Sequence, residues 1–125
     1  MRYFILFGAM VFAFGPTHAQ EINCAKRRMI AANTVLYCAE KDFEDADREL
    51  NFVWRSINKL TRAQKDYSFA ILESQRAWIK FRDAQCNAQI LYYEEYRKRD
   101  QQYVICRTRL TKARSLELKR FVEGG

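Results

Sequence analysis

The sequence predicts an all-α fold: a small antiparallel bundle of two long helices plus a third helical segment, stapled by two disulfides. Three observations carry that expectation. Between Gln20 and Glu123 there is neither glycine nor proline, so the tight hairpin turns of a β-rich fold lack the residues they usually demand. Apolar residues from Ala39 to Leu60 recur at alternating spacings of four and three, the period of a helix that buries one stripe. Cys24, Cys38, Cys86 and Cys106 form an even set in a short chain with an export leader, which reads as two disulfides made in an oxidising compartment.

The leader is residues 1–19. Arg2 supplies a positive start, Tyr3 to Phe14 an apolar run, Gly15-Pro16 a break, and Thr17-His18-Ala19 small residues ahead of a cut after Ala19. This is the pattern of a secretory signal peptide, and the apolar run is short for a membrane span. Glu21-Ile22-Asn23 ahead of Cys24 does not fit the small apolar residues that precede a lipidated cysteine. The mature chain, one helical domain over 20–125, is therefore expected to be periplasmic or secreted and not anchored to a membrane. Cleavage removes the only histidine and the only proline and lowers the formal charge of +7 by one. The cysteines stand 14, 48 and 20 positions apart, unlike the close pairs of structural zinc sites, and neither a metal nor a cofactor is expected.

Asn33-Thr34 offers an N-cap for a first helix from Val35 to about Leu60, with Ala39, Phe43, Ala46, Leu50, Val53, Ile57 and Leu60 as its seam. Asp47, Asn51 and Trp54 run beside that seam; mid-helix Asp and Asn are poor helix formers, so something beyond propensity places them. Thr61-Arg62-Ala63-Gln64 matches a capping box and marks a short connection, hence antiparallel neighbours. The second helix runs from about Arg62 to the low nineties, with Tyr67, Ile71, Trp78, Phe81, Ala88 and Tyr92 as its apolar stripe, interrupted by Ser74 and Gln85. From Ile90 to Gln102 two readings stand: continued helix, or a turn near Arg97 to Gln101 capped by Asp100. The second leads into a third segment carrying Cys106, Leu110, Ala113, Leu116 and Phe121.

Within the second helix, Gln75, Trp78, Arg82 and Cys86 fall on one side at spacings of three, four and four. A helix side that mixes a large aromatic, an amide, a guanidinium and a thiol is no ordinary solvated face. A hairpin turning near Ala63 sets Asn51 opposite Gln75 and Asp47 opposite Arg82, so Asp47, Asn51, Gln75, Trp78 and Arg82 are expected to form a buried polar seam that fixes register. Geometry leaves the cysteine pairing open. Twenty residues of unbroken helix span about 30 Å and bonded cysteines need Cα atoms within about 7 Å. Cys86–Cys106 thus needs a reversal near Tyr96, while Cys38–Cys86 with Cys24–Cys106 also suits a hairpin.

Cys38 followed by Ala46-Asp47-Arg48-Glu49-Leu50-Asn51, then Gln75-x-x-Trp78-x-x-x-Arg82-Asp83-x-x-Cys86, and finally Cys106-x-x-x-Leu110-Thr111-x-x-Arg114-x-x-Glu117-Leu118, together resemble the LprI-like lysozyme inhibitor family. The likeness covers nearly all of the mature chain and all four cysteines. It implies a small, exported, helical envelope protein, the local pairs Cys24–Cys38 and Cys86–Cys106, and inhibition of c-type lysozyme by direct protein–protein binding. Two departures stand out: Trp54 where the family often has Tyr, and a charged, tyrosine-rich 90–102 where it often has a Gly-Gly-Ser loop.

An enzyme is not expected, because the mature chain has no histidine and disulfide-bonded cysteines are not nucleophiles. For a binding protein, the cluster Tyr92, Tyr93, Tyr96, Arg97, Lys98 and Arg99 is aromatic and cationic in the manner of interfaces, and a cation suits the paired carboxylates of a muramidase cleft. The alternative is a non-inhibitory periplasmic module for another protein or an anionic polymer. It would use Arg107, Arg109, Lys112, Arg114, Lys119 and Arg120. Nucleic acid is not an expected partner.

Overall fold

The computed structural model describes residues 22–25 and 32–123, the side chains of Ala32, Asn33 and Arg97 excepted. The expected leader over 1–19 and the basic cluster Lys26-Arg27-Arg28 lie outside the described residues. Three helices follow one another: α1 (Ala32–Thr61), α2 (Lys65–Ile90) and α3 (Tyr96–Glu123). Each is about 40 Å long or slightly more at 1.5 Å per residue, and the described residues contain no strand.

The chain runs up, down and up. α1 and α3 are parallel: Arg107 lies over the Phe43 ring and, further along both helices, Lys119 pairs with Glu49 at 2.6 Å. That hydrogen bond and the carboxylate charge hold the Lys119 ammonium above its ordinary pKa. α2 is antiparallel to both. The closest approach is between α1 and α3, and α1 is furthest from α2. Side-chain size accounts for this: Ala39 and Ala46 on α1 and Thr108, Thr111 and Ser115 on α3 are buried and small, so those helices can come close together. The core proper is Leu50, Val53, Ile57, Ile71 and Leu118, with Trp54 and Trp78 packed against it.

Such a core is small for its chain, and the staples matter accordingly. The bonds are Cys24–Cys38 and Cys86–Cys106, with Cα separations of 5.5 and 5.6 Å. Closing loops of this size restricts the unfolded chain and contributes about 3 kcal/mol each in the chain-entropy treatment.

Several sequence expectations are corrected. Asn33 and Thr34 lie inside α1, not ahead of it. Thr61 is the last residue of α1 and no N-cap; Gln64 precedes α2 without any side-chain capping bond, and its N–H donates to the Thr61 carbonyl at 2.8 Å. The Thr61 hydroxyl is buried and makes no hydrogen bond among the described residues. Leu60 is exposed, and Thr61, four residues after the buried Ile57, takes the inward position at the end of α1. Neither reading of 90–102 is right in detail: the break is residues 91–95, and Asp100 sits inside α3. On α2 the buried line is Ile71, Gln75, Arg82 and Cys86, while Tyr67 and Phe81 are exposed and Tyr92, also exposed, lies beyond the helix end. On α3 it is Cys106, Thr108, Thr111, Arg114, Ser115 and Leu118, while Ala113, Leu116 and Phe121 face solvent.

Candidate functional site

The buried polar groups form a ladder of alternating rings and guanidiniums through all three helices. Arg107 lies 5.5 Å from the Tyr103 ring and 4.1 Å from Phe43; Arg82 lies 5.7 Å from Phe43 and 5.3 Å from Trp78; Arg114 lies 5.8 Å from Trp78. A cation over a ring face is attracted by the ring quadrupole, more strongly where water is excluded. Arg82 and Arg114 are each 6% exposed, and charges so placed need partners.

Those partners are present. Arg82 donates through Nε to Asp83 Oδ1 at 2.8 Å and through Nη1 to Thr111 Oγ1 at 3.5 Å. Asp83 also faces Arg107 at 3.4 Å, so one carboxylate serves two guanidiniums. Arg114 donates through Nε to Gln75 Oε1 at 3.0 Å and through Nη2 to Ser74 Oγ at 3.1 Å, and its Nη1 pairs with Glu117 at 2.9 Å.

The structure thus brings together Gln75, Trp78 and Arg82, and leaves Asp47 and Asn51 out. Asn51 is exposed and donates to Asp47 at 2.9 Å along the same helix. The expected contacts Asn51–Gln75 and Asp47–Arg82 are corrected: α3, not α1, supplies the partners, through Thr111 and Arg114. The reason is the spacing of the helices, since α1 and α2 stand apart. Sequence reasoning missed Phe43, Arg107, Thr111 and Arg114 as members of the seam. A signal was available in the Cys86–Cys106 bond, which sets the register of α2 on α3. Arg82, four residues before Cys86, meets Thr111, five after Cys106; Gln75, eleven before, meets Arg114, eight after.

Chemically, this seam positions helices. Its carboxylates are held by arginines, the cysteines are bonded, and no cluster of three or more metal-ligating side chains occurs among the described residues.

A second constellation stands at the end of the bundle where α2 turns into α3. The N–H groups of Leu91, Tyr92 and Tyr93 donate to the carbonyls of Ala88, Gln89 and Ile90, so α2 unwinds through tight turns. Arg99 then anchors the connection, its Nε donating to the Tyr93 carbonyl while its N–H donates to Glu95 O at 3.0 Å. The Cys86–Cys106 bond holds both flanking helices just behind the turn. On this fixed support Leu91, Tyr92 and Tyr96 are 75%, 89% and 74% exposed. Tyr93 is half-buried and meets Tyr92 edge to face at 6.0 Å.

Of the expected contact residues, Tyr92 and Tyr96 therefore project at the tip, and Lys98 is exposed beside Glu95 at 3.2 Å. Tyr93 and Arg99 serve the turn itself, which corrects the expectation of a cationic probe at Arg99. The side chain of Arg97 lies outside what is described. The basic character of α3 is likewise reduced: Arg114 is buried, Arg107 is stacked on Phe43 and Lys119 is paired.

These features define a class: a small, disulfide-stapled three-helix protein whose best-marked motif is a structural seam and whose most exposed large apolar side chains, Leu91, Tyr92 and Tyr96, stand where α2 turns into α3. Residues 24–118 match the family described as lysozyme inhibitor LprI, and the chain belongs to that family. That family is one of inhibitors, not enzymes. A curated relative, an uncharacterized protein of Rhizobium meliloti (strain 1021), is 28% identical over 121 residues, with 86% of each chain covered. No solved structure matches the chain. Members of the family are exported, the two disulfides fit an extracytoplasmic compartment, and no helix among the described residues is long and apolar enough to cross a membrane.

Proposed function

We propose that this protein is exported through a cleaved leader ending at Ala19 and inhibits a c-type lysozyme by direct binding, with the tip around Leu91, Tyr92 and Tyr96 as the contact. Family membership supports the inhibitory role. The observation that carries the contact is the tip itself: three large side chains, each about three-quarters exposed or more, on a turn held by a disulfide and by the Arg99–Tyr93 bond. Tyrosines carry large contact area with few rotatable bonds, and a backbone turn formed before binding lowers the entropic cost of presenting them.

A muramidase cleft is a long groove with two carboxylates at its centre. A projecting aromatic turn can enter such a groove and exclude the glycan, with Lys98 at its side near the carboxylates. Because the chain without its leader still carries a formal +6, the full chain's +7 less the charge of Arg2, approach to a basic lysozyme gains nothing from long-range steering. Affinity then rests on short-range contacts and should change little with salt. The anionic-polymer reading loses ground, since Arg107, Arg114 and Lys119 of its six cations are engaged within the fold.

Titration of a c-type lysozyme with the purified, disulfide-bonded protein, followed by lysis of a cell-wall suspension, tests the reading. Activity should fall with added protein and keep falling at raised salt. Full activity at a large molar excess would overturn it.

A further inference from the structure

The opposite end of the bundle carries its own unexplained surface. The last core layer there is Ile57, Ile71 and Leu118. Beyond that layer, where burial should end and polar residues begin, each helix continues with large apolar groups. Leu60 on α1 is 58% exposed, Phe69 on α2 64% and Phe121 on α3 50%, with Tyr67 and Val122 beside them also exposed. These five stand around one end, while Tyr37, Phe52, Ile79, Phe81, Ile105 and Leu116 are exposed singly along the length of the helices.

Charge says what this end fits. Lys59, Arg62, Lys65 and Arg120 surround the apolar group, all exposed and none in an ion pair among the described residues. Asp66 and Glu123 are the acidic residues interspersed there, so cations outnumber anions two to one. Elsewhere on the surface several acid–base pairs neutralise one another, as at Lys41–Glu44, Arg76–Glu73 and Lys98–Glu95, although Arg55, Lys80, Arg109 and Lys112 are also exposed outside any ion pair among the described residues. Aromatic and aliphatic side chains ringed by unneutralised Lys and Arg match the interface of an anionic bilayer. There the rings enter the headgroup boundary and the cations meet lipid phosphates.

We propose that this end, formed by the α1–α2 turn and the C-terminal turns of α3, docks the exported protein on an anionic phospholipid surface. Docking there turns the tyrosine tip, at the far end of helices about 40 Å long, away from the membrane. The inference does not depend on lysozyme binding.

The test uses the exported, processed, disulfide-bonded protein, its N-terminus verified so that the leader is absent, in sedimentation with vesicles. Binding is expected to vesicles of phosphatidylglycerol and phosphatidylcholine, and little to phosphatidylcholine alone. Phe69→Ser with Phe121→Ser, and separately Arg62→Gln with Lys65→Gln, should each lower the partition constant about tenfold or more. All four positions are exposed, so the melting temperature serves as a check on folding and should not move. Tyr92→Ala should leave vesicle binding unchanged. Equal binding to neutral vesicles, no binding to anionic ones, or unchanged binding by both variants overturns the proposal. So does a dimer in solution that Phe69→Ser with Phe121→Ser dissociates while vesicles bind nothing, since the end would then meet a second copy.

Discussion

Arg114→Ala is the perturbation that tests the seam most severely. The change removes the donors on Gln75 Oε1 and Ser74 Oγ and the cation beside Trp78. Gln75 is 7% exposed, so its carbonyl is left dry and unpaired at a cost of about 1–3 kcal/mol. Loss of the guanidinium from the indole face adds about 1 kcal/mol, and the space vacated closes only in part. Glu117 is 56% exposed and returns to water, so its lost pair adds little. The sum is about 3 kcal/mol, and in a domain of this size that lowers the melting temperature by on the order of 10–20 °C. Thermal unfolding followed by far-UV circular dichroism reads it. Arg114→Met with Gln75→Leu removes both partners at once and should recover most of the loss, because no buried group is then orphaned. If Arg114→Ala melts within about 2 °C of the wild type, or the double variant is the worse of the two, the reasoning fails.

The other expectations are smaller or act elsewhere. Asp47→Ala with Asn51→Ala should cost no more than about 0.5 kcal/mol in urea unfolding, since among the described residues the pair bonds only to itself on α1; a loss comparable to that of Arg114→Ala would return the seam to the α1–α2 interface. Thr61→Val keeps the shape of a buried side chain and removes a hydroxyl with no partner, so it should raise stability by about 1 kcal/mol. A fall in the midpoint would mean that the hydroxyl has a partner after all. Cys86→Ser with Cys106→Ser should lower stability by about 3 kcal/mol and, well below its melting temperature, weaken lysozyme inhibition, because the turn behind the tip loses its staple. Unchanged inhibition would separate the tip from the disulfide.

What was legible in the sequence follows from where the physical signal was local. The absence of Gly and Pro and the four–three spacing from Ala39 to Ile57 sufficed for helices and for the buried line of α1. The side formed by Gln75, Trp78, Arg82 and Cys86 was likewise readable, because helical periodicity alone puts those residues together. The partner of that side was not. A short α1–α2 connection suggests intimate packing, yet the size of Trp54 and Trp78 against the smallness of Ala46, Thr111 and Ser115 decides which helices approach closely. α3 misled because an apolar stripe was sought there, while its buried face is made of Thr108, Thr111, Arg114 and Ser115. Those residues can be buried because Thr111 and Arg114 meet Arg82, Gln75 and the Trp78 ring of α2, while the Thr108 and Ser115 hydroxyls donate to the Val104 and Thr111 carbonyls of α3 itself. The capping box failed for a similar reason: Thr61 matches the pattern, but α1 continues through it.

The claim at the centre is that the family's best-marked motif builds the fold while the tyrosine tip does the binding. Inhibition of a c-type lysozyme by Tyr92→Ala with Tyr96→Ala, measured beside wild type and Arg114→Ala at a temperature where all three are folded, tests it directly. The tip variant should melt with the wild type and lose inhibition at least about tenfold, as truncation of two interface anchors does. Arg114→Ala should inhibit as the wild type does. Full inhibition by the tip variant, or its loss in folded Arg114→Ala, would place the binding surface on the seam and contradict the claim.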